Sequence, residues 1–92
     1  MTLDDRVQSS EDVVAQKVGE EMVLLDLESG VYYGLDAVGS RVWELLMEHG
    51  RLRVVFETMA EEYDVTPELL QQDLLHLLQE LQARGLIQVA GA

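Results

Sequence analysis

Few groups in this chain have the chemistry of catalysis, and their spacing rules out most reactions. The hydroxyl candidates are Ser9, Ser10, Ser29, Ser40, Thr2, Thr58 and Thr66, and the only imidazole bases are His49 and His76. A nucleophilic hydroxyl needs a base within hydrogen-bond reach and, commonly, a strained turn that presents it. None of these residues lies in a Gly-rich loop or a G-x-S-x-G elbow. The chain has no cysteine, which removes a thiolate nucleophile, a thiolate metal site and a disulfide together. Two histidines without an H-E-x-x-H helix do not form a metal site. Glu20-Glu21 and Glu61-Glu62 are adjacent, so their side chains diverge instead of forming an acid/base couple. The expectation is a protein that is not an enzyme and carries no cofactor or metal. Trp43 reads as an anchor of the core rather than a stacking platform.

Composition narrows the partners. Ninety-two residues with 48% hydrophobic content suit one small domain with a thin core. Eighteen acidic residues against six basic ones give a net charge of −12. Such a surface repels a polyanion, so nucleic acid is not expected; the charge serves solubility alone or favours neutral or basic partners. The N-terminal MTLDDRVQSSEDVV is acidic and polar, unlike a signal peptide. No apolar run approaches the roughly 20 residues of a membrane span. A cytoplasmic protein with no membrane partner is expected.

The elements follow from hydrophobic period. Val13 to Val18 reads as a strand. Val23, Leu25 and Leu27 alternate with Leu24 and Asp26 in a second, and Glu28-Ser29-Gly30 supplies a turn. Val31-Tyr32-Tyr33-Gly34-Leu35 is β-branched and aromatic and pairs back as a hairpin. The expected strands are thus 13–18, 22–27 and 31–35. At Asp36, a helix cap, the period becomes helical through Val38, Val42, Leu45 and Leu46, and Gly50 stops that helix. Leu52, Val55, Phe56, Met59, Ala60 and Tyr63 mark a second helix. Thr66-Pro67 starts a third, with a capping hydroxyl and a proline suited to the first position. Leu70, Leu74, Leu77, Leu78 and Leu81 share its apolar arc, and Gly85 ends it. Leu86 to Val89 is a closing short strand or an extended tail. Residues 1–12 are expected as a flexible N-terminal segment, with a short strand candidate at Arg6-Val7-Gln8, ahead of a single domain at 13–90. The fold class is α+β: a winged helix-turn-helix-like domain in which a three-stranded antiparallel β-sheet is followed by three α-helices.

That shape suggests DNA, but the third helix offers Glu68, Gln71, Gln72, Asp73, His76, Gln79, Glu80 and Gln82 with a single arginine, Arg84. A base-reading helix is normally backed by phosphate-binding cations, so duplex binding is not expected. A sheet edge at Val31 to Leu35 is a better candidate site, because unpaired N–H and C=O groups accept an extended peptide as an added strand. Tyr32 and Tyr33 are adjacent and point to opposite faces. One can pack inward while the other anchors a peptide; ordinary strand packing explains both equally well. Gly34 suits close backbone approach or a bulge. On the third helix Leu69 and Leu75 fall on opposite flanks of the arc, and Asp73 can pair with a basic group of a bound peptide or stay solvated.

The run LLDLESGVYYGLDAVGSRVWELL resembles the PqqD-like family through Gly30, Tyr32, Leu35, Asp36, Gly39, Val42 and Trp43. A second signature is matched by Asp73, Leu78, Leu81, Gly85, Leu86 and Ile87. The resemblance implies a recognition element for ribosomally made, modified peptides. Such domains bind the leader segment of a precursor as a strand, beside the third helix, and present the rest to a maturation enzyme. This chain is similar to the stand-alone versions of lasso-peptide pathways, whose partner enzymes are a leader peptidase and an ATP-dependent cyclase. Carried over by position, Val31, Tyr32, Tyr33, Gly34 and Leu35 form the pairing strand, and Leu70, Asp73, Leu74 and Leu77 are candidates for the helical wall. A monomer or weak dimer is expected. The alternatives are an acidic winged-helix module for protein–protein interaction and a subunit that activates an enzyme allosterically.

Overall fold

The hairpin predicted at the centre of the sequence is tied by one side chain. Asp26 accepts from the Glu28 N–H through Oδ1 at 3.1 Å and from the Ser29 hydroxyl through Oδ2 at 2.9 Å. Its carbonyl accepts from the Gly30 N–H at 2.8 Å. The computed structural model, which describes residues 1–90, runs as β1 Arg6–Ser9, β2 Val13–Val18, β3 Glu21–Asp26, β4 Tyr32–Leu35, α1 Ala37–His49, α2 Leu52–Glu62, α3 Pro67–Ala83 and β5 Ile87–Ala90. β2, β3 and β4 form an antiparallel sheet in that order, so β4 is an edge. This is the expected α+β arrangement, a three-stranded sheet followed by three helices.

Register decides which side chains enter the core. Met22 lies opposite Leu35 and Leu24 opposite Tyr33. Met22, Leu24 and Leu35 are buried, while Val23 and Leu27 of the expected alternation are exposed. The alternate set faces inward because it is the one that meets Leu35 and the helices.

α1 is pressed onto the end of β4. Asp36 accepts from the Gly39 N–H at 2.7 Å, as its place at the cap predicts. A Cβ on Gly39 would lie 3.2 Å from Leu35 Cδ2, so the close approach favours glycine. The buried Ser40 hydroxyl donates to the Leu35 carbonyl at 3.3 Å. Val42, Trp43, Leu45 and Leu46 are buried below it, and Trp43 is a core residue as expected. Gly50, at φ 74°, ends the helix in the left-handed region. Thr66 stands at the cap of α3, but its side chain makes no capping hydrogen bond; Pro67 at the first position starts the helix. Leu70, Leu74, Leu78 and Leu81 bury the inner face of α3.

The two ends of the described chain form a second sheet. β1 pairs antiparallel with β5, with Val7 opposite Val89 and Ser9 opposite Ile87. Leu3, Val7 and Ile87 are buried, and the Val7 N–H donates to the Gly50 carbonyl at 2.7 Å. Residues 1–12 therefore pack into the domain instead of standing apart as a flexible segment. Leu86 to Val89 takes the strand alternative, because β1 supplies it with a partner.

Candidate functional site

The main-chain groups of β4 divide between two sides. The Asp26 N–H donates to the Val31 carbonyl at 2.8 Å, which places the hydrogen-bonded positions of the β3–β4 ladder at Val31 and, by alternation, at Tyr33 and Leu35. Tyr32 and Gly34 are the intervening positions. Their N–H and C=O groups point away from β3, toward the free edge. The opposite edge, β2, is exposed from Val14 to Val18 and carries Lys17, a residue type that guards edges against pairing.

α3 faces the free edge across a groove. A cavity of about 260 Å³ is lined by Tyr33, Gly34, Leu35, Val38, Asp73 and Leu77. A second, also about 260 Å³, is mainly apolar and is lined by Val42, Met59, Tyr63, Val65, Leu70 and Leu74. Val38, Asp73 and Leu77 line both, so the two are continuous. The strand edge thus leads into an apolar pocket between the helices. Asp73 stands at the junction, exposed, with no hydrogen-bond or ion-pair partner among the described residues. A third cavity, about 370 Å³, lies beside His49 and β1. It offers no comparable edge: β1 is paired with β5 on one side and bridged to Arg51 on the other.

Tyr33 joins the two walls. Its hydroxyl donates to Glu80 Oε2 at 2.9 Å, and the Arg84 guanidinium lies 4.9 Å from the ring centroid. Arg84 Nη2 is 3.8 Å from Glu80 Oε1. The hydrogen bond to the Glu80 carboxylate, followed by burial and the carboxylate's charge, raises the Tyr33 pKa above the ordinary phenol value. The hydroxyl therefore remains a donor throughout the neutral range.

Five of the nine residues expected at the site, Tyr33, Gly34, Leu35, Asp73 and Leu77, line one cavity, and Leu70 and Leu74 line its continuation. Tyr32 is 72% exposed on the other face of the sheet. Val31 precedes β4 and lines neither cavity. Of the two flanks of α3, the one carrying Asp73 and Leu77 faces the groove; Leu69 is exposed and Leu75 packs at the core's margin. Sequence reasoning missed Val38, Met59, Tyr63 and Val65 as lining residues, and Glu80 and Arg84 as partners of Tyr33. Val38 belongs to the helical period read from the sequence, and the structure leaves it 46% exposed in the first turn of α1. Among the described residues no cluster of three or more His, Cys, Asp or Glu can hold a metal, and no helix is long and apolar enough to cross a membrane.

The family model of coenzyme PQQ synthesis protein D, PqqD, matches residues 21–87. Two solved structures are similar. One is TbiB1 in complex with the TbiA(beta) leader peptide, 38% identical with a TM-score of 0.84, covering 88% of this chain and 94% of that one. The other is a lasso peptide synthetase B1 complexed with the leader peptide, with a TM-score of 0.82 over 90% of this chain and 98% of that one. At 22% identity it shows the fold alone. No curated protein matches the chain.

Proposed function

The chain belongs to the PqqD family, and from that premise we propose that it is a non-catalytic, cytoplasmic adaptor that binds the leader segment of a ribosomally made precursor peptide. The observation that carries this reading is the free edge of β4 facing α3 across a groove that opens into an apolar pocket. The peptide adds a strand to β4, pairing with the outward N–H and C=O groups of Tyr32 and Gly34. Alternate side chains of that strand point into the groove, where Leu35, Val38 and Leu77 offer apolar contact and Asp73 offers a carboxylate to a basic group. Beyond the strand, the pocket at Val65 and Leu70 takes an apolar side chain. TbiB1, the solved relative at 38% identity, holds a leader peptide, which supports the same class of ligand here.

Binding of this kind needs no chemistry from the adaptor. It raises the effective concentration of the tethered precursor at its processing enzyme, here a leader peptidase and, after it, a cyclase of a lasso-peptide pathway. The charge balance supports the exclusion of nucleic acid: Arg84, the one arginine of the α3 region, is engaged by Tyr33 and Glu80.

The test is fluorescence polarisation of a labelled synthetic leader peptide from the precursor encoded with this chain. Saturable binding that an unlabelled leader competes away supports the reading. A folded protein that leaves the peptide tumbling freely contradicts it.

A further inference from the structure

Of the β4 side chains, Tyr33 alone hydrogen-bonds across the groove to α3, in a ring of contacts with Glu80 and Arg84. Glu80 and Arg84, one helical turn apart, follow Leu77 at the end of α3 and its cap, so the bridge stands on the side of Leu77 away from Asp73. The carboxylate and the guanidinium are about half exposed, at 46% and 47%. Pairs this exposed contribute little to folding, which leaves the purpose of the bridge to be sought in the groove.

We infer that Glu80 and Arg84 are positioning residues of the peptide site, holding the Tyr33 side chain across the gap to α3 before the peptide arrives. This rests on the peptide-binding reading given above. A tyrosine on an edge strand has rotamers that lay its ring along its own strand, over the outward groups of Tyr32 and Gly34. The hydrogen bond from its hydroxyl and the cation over its ring select the rotamer that clears the edge and builds the groove's floor. Ordering that is complete before binding is not charged against the affinity. The bridge also makes the inward positions of an added strand unequal. A side chain beside Leu35 meets Leu77 and Val38, whereas one beside Tyr33 meets an aromatic ring with a carboxylate and a guanidinium.

The experiment is a set of titrations of the labelled leader peptide against the full chain and its variants Tyr33→Phe, Glu80→Ala, Glu80→Gln, Arg84→Ala and Tyr33→Phe/Glu80→Ala, with Tm recorded for each. Tyr33→Phe and Glu80→Ala should each weaken binding about three- to tenfold, the span of one modest hydrogen bond. The double variant should bind no worse than the weaker single one, because both changes break the same contact. Glu80→Gln, whose amide oxygen still accepts from the Tyr33 hydroxyl, should retain most of the affinity. Tm values near that of the wild type separate positioning from general stability. Wild-type affinity in both Tyr33→Phe and Glu80→Ala, fully additive losses, or losses that track Tm overturn the inference and leave leader binding standing. A wild-type chain that does not bind the peptide removes the peptide-binding reading and this inference with it.

Discussion

Tyr32 and Tyr33 stand on opposite faces of β4: the first is 72% exposed, and the second hydrogen-bonds Glu80 across the groove. Two neighbours of one residue type therefore have different consequences when removed. Tyr32→Ala should change folding stability by no more than about 0.5 kcal/mol, as expected of a surface position. Tyr33→Ala should cost about 1–2 kcal/mol, from lost apolar area and the lost hydrogen bond. Urea denaturation of the two variants checks this; equal losses would contradict the assigned orientations.

A second relationship makes a small, pH-dependent contribution to stability. Arg41 Nε donates to Glu62 Oε1 at 2.9 Å and Nη2 to Oε2 at 2.6 Å, tying α1 to α2. The hydrogen bonds and the positive charge of Arg41 lower the Glu62 pKa below the ordinary carboxylate value. A depressed folded-state pKa contributes stability above the unfolded carboxylate pKa, and that contribution is lost as pH falls through the folded value. Glu62→Gln should therefore have a lower Tm than the wild type at neutral pH, with the difference closing as pH falls below about 4. A difference that is constant with pH would contradict the assignment.

Leu77 and Asp73 test the helical wall. Leu77 lines both cavities, so Leu77→Ala should weaken leader binding about five- to tenfold through lost apolar contact. Asp73 is exposed at the junction, and Asp73→Asn removes only charge. Its effect should be about two- to fivefold with a leader that carries a basic side chain, and should shrink as salt is raised. Titrations at low and high salt separate the two contributions.

Much of this was legible because local signals agreed with the fold. The turn chemistry of Glu28 to Gly30, the cap at Asp36, the stop at Gly50 and the leucine arc of α3 each place an element without reference to distant residues. The pairing of β1 with β5 was not legible: Arg6–Ser9 and Ile87–Ala90 are four-residue strands from opposite ends of the chain, and neither carries a period long enough to declare its partner. The inward face of β3 was not legible for a related reason. Met22 to Leu25 is apolar at every position, and only the register with Leu35 and Tyr33 decides which side is inward. At the groove, the strand and the leucines of α3 could be named, but Val38 comes from α1 and Tyr63 and Val65 from the connection between α2 and α3, brought together by packing. Glu80 and Arg84 carry no local signal of a partner, because Tyr33 reaches them from a distant strand.

The most direct test of the account is leader-peptide titration of Gly34→Pro beside the wild type. Gly34 turns its N–H away from Val23 and toward the free edge, and a Cβ there would meet nothing within 4 Å. Proline at an edge position removes one outward donor while leaving the β3 ladder intact. A folded Gly34→Pro variant, with Tm near that of the wild type, is predicted to lose leader affinity by about tenfold or more. Undiminished binding by that folded variant would contradict strand addition at β4.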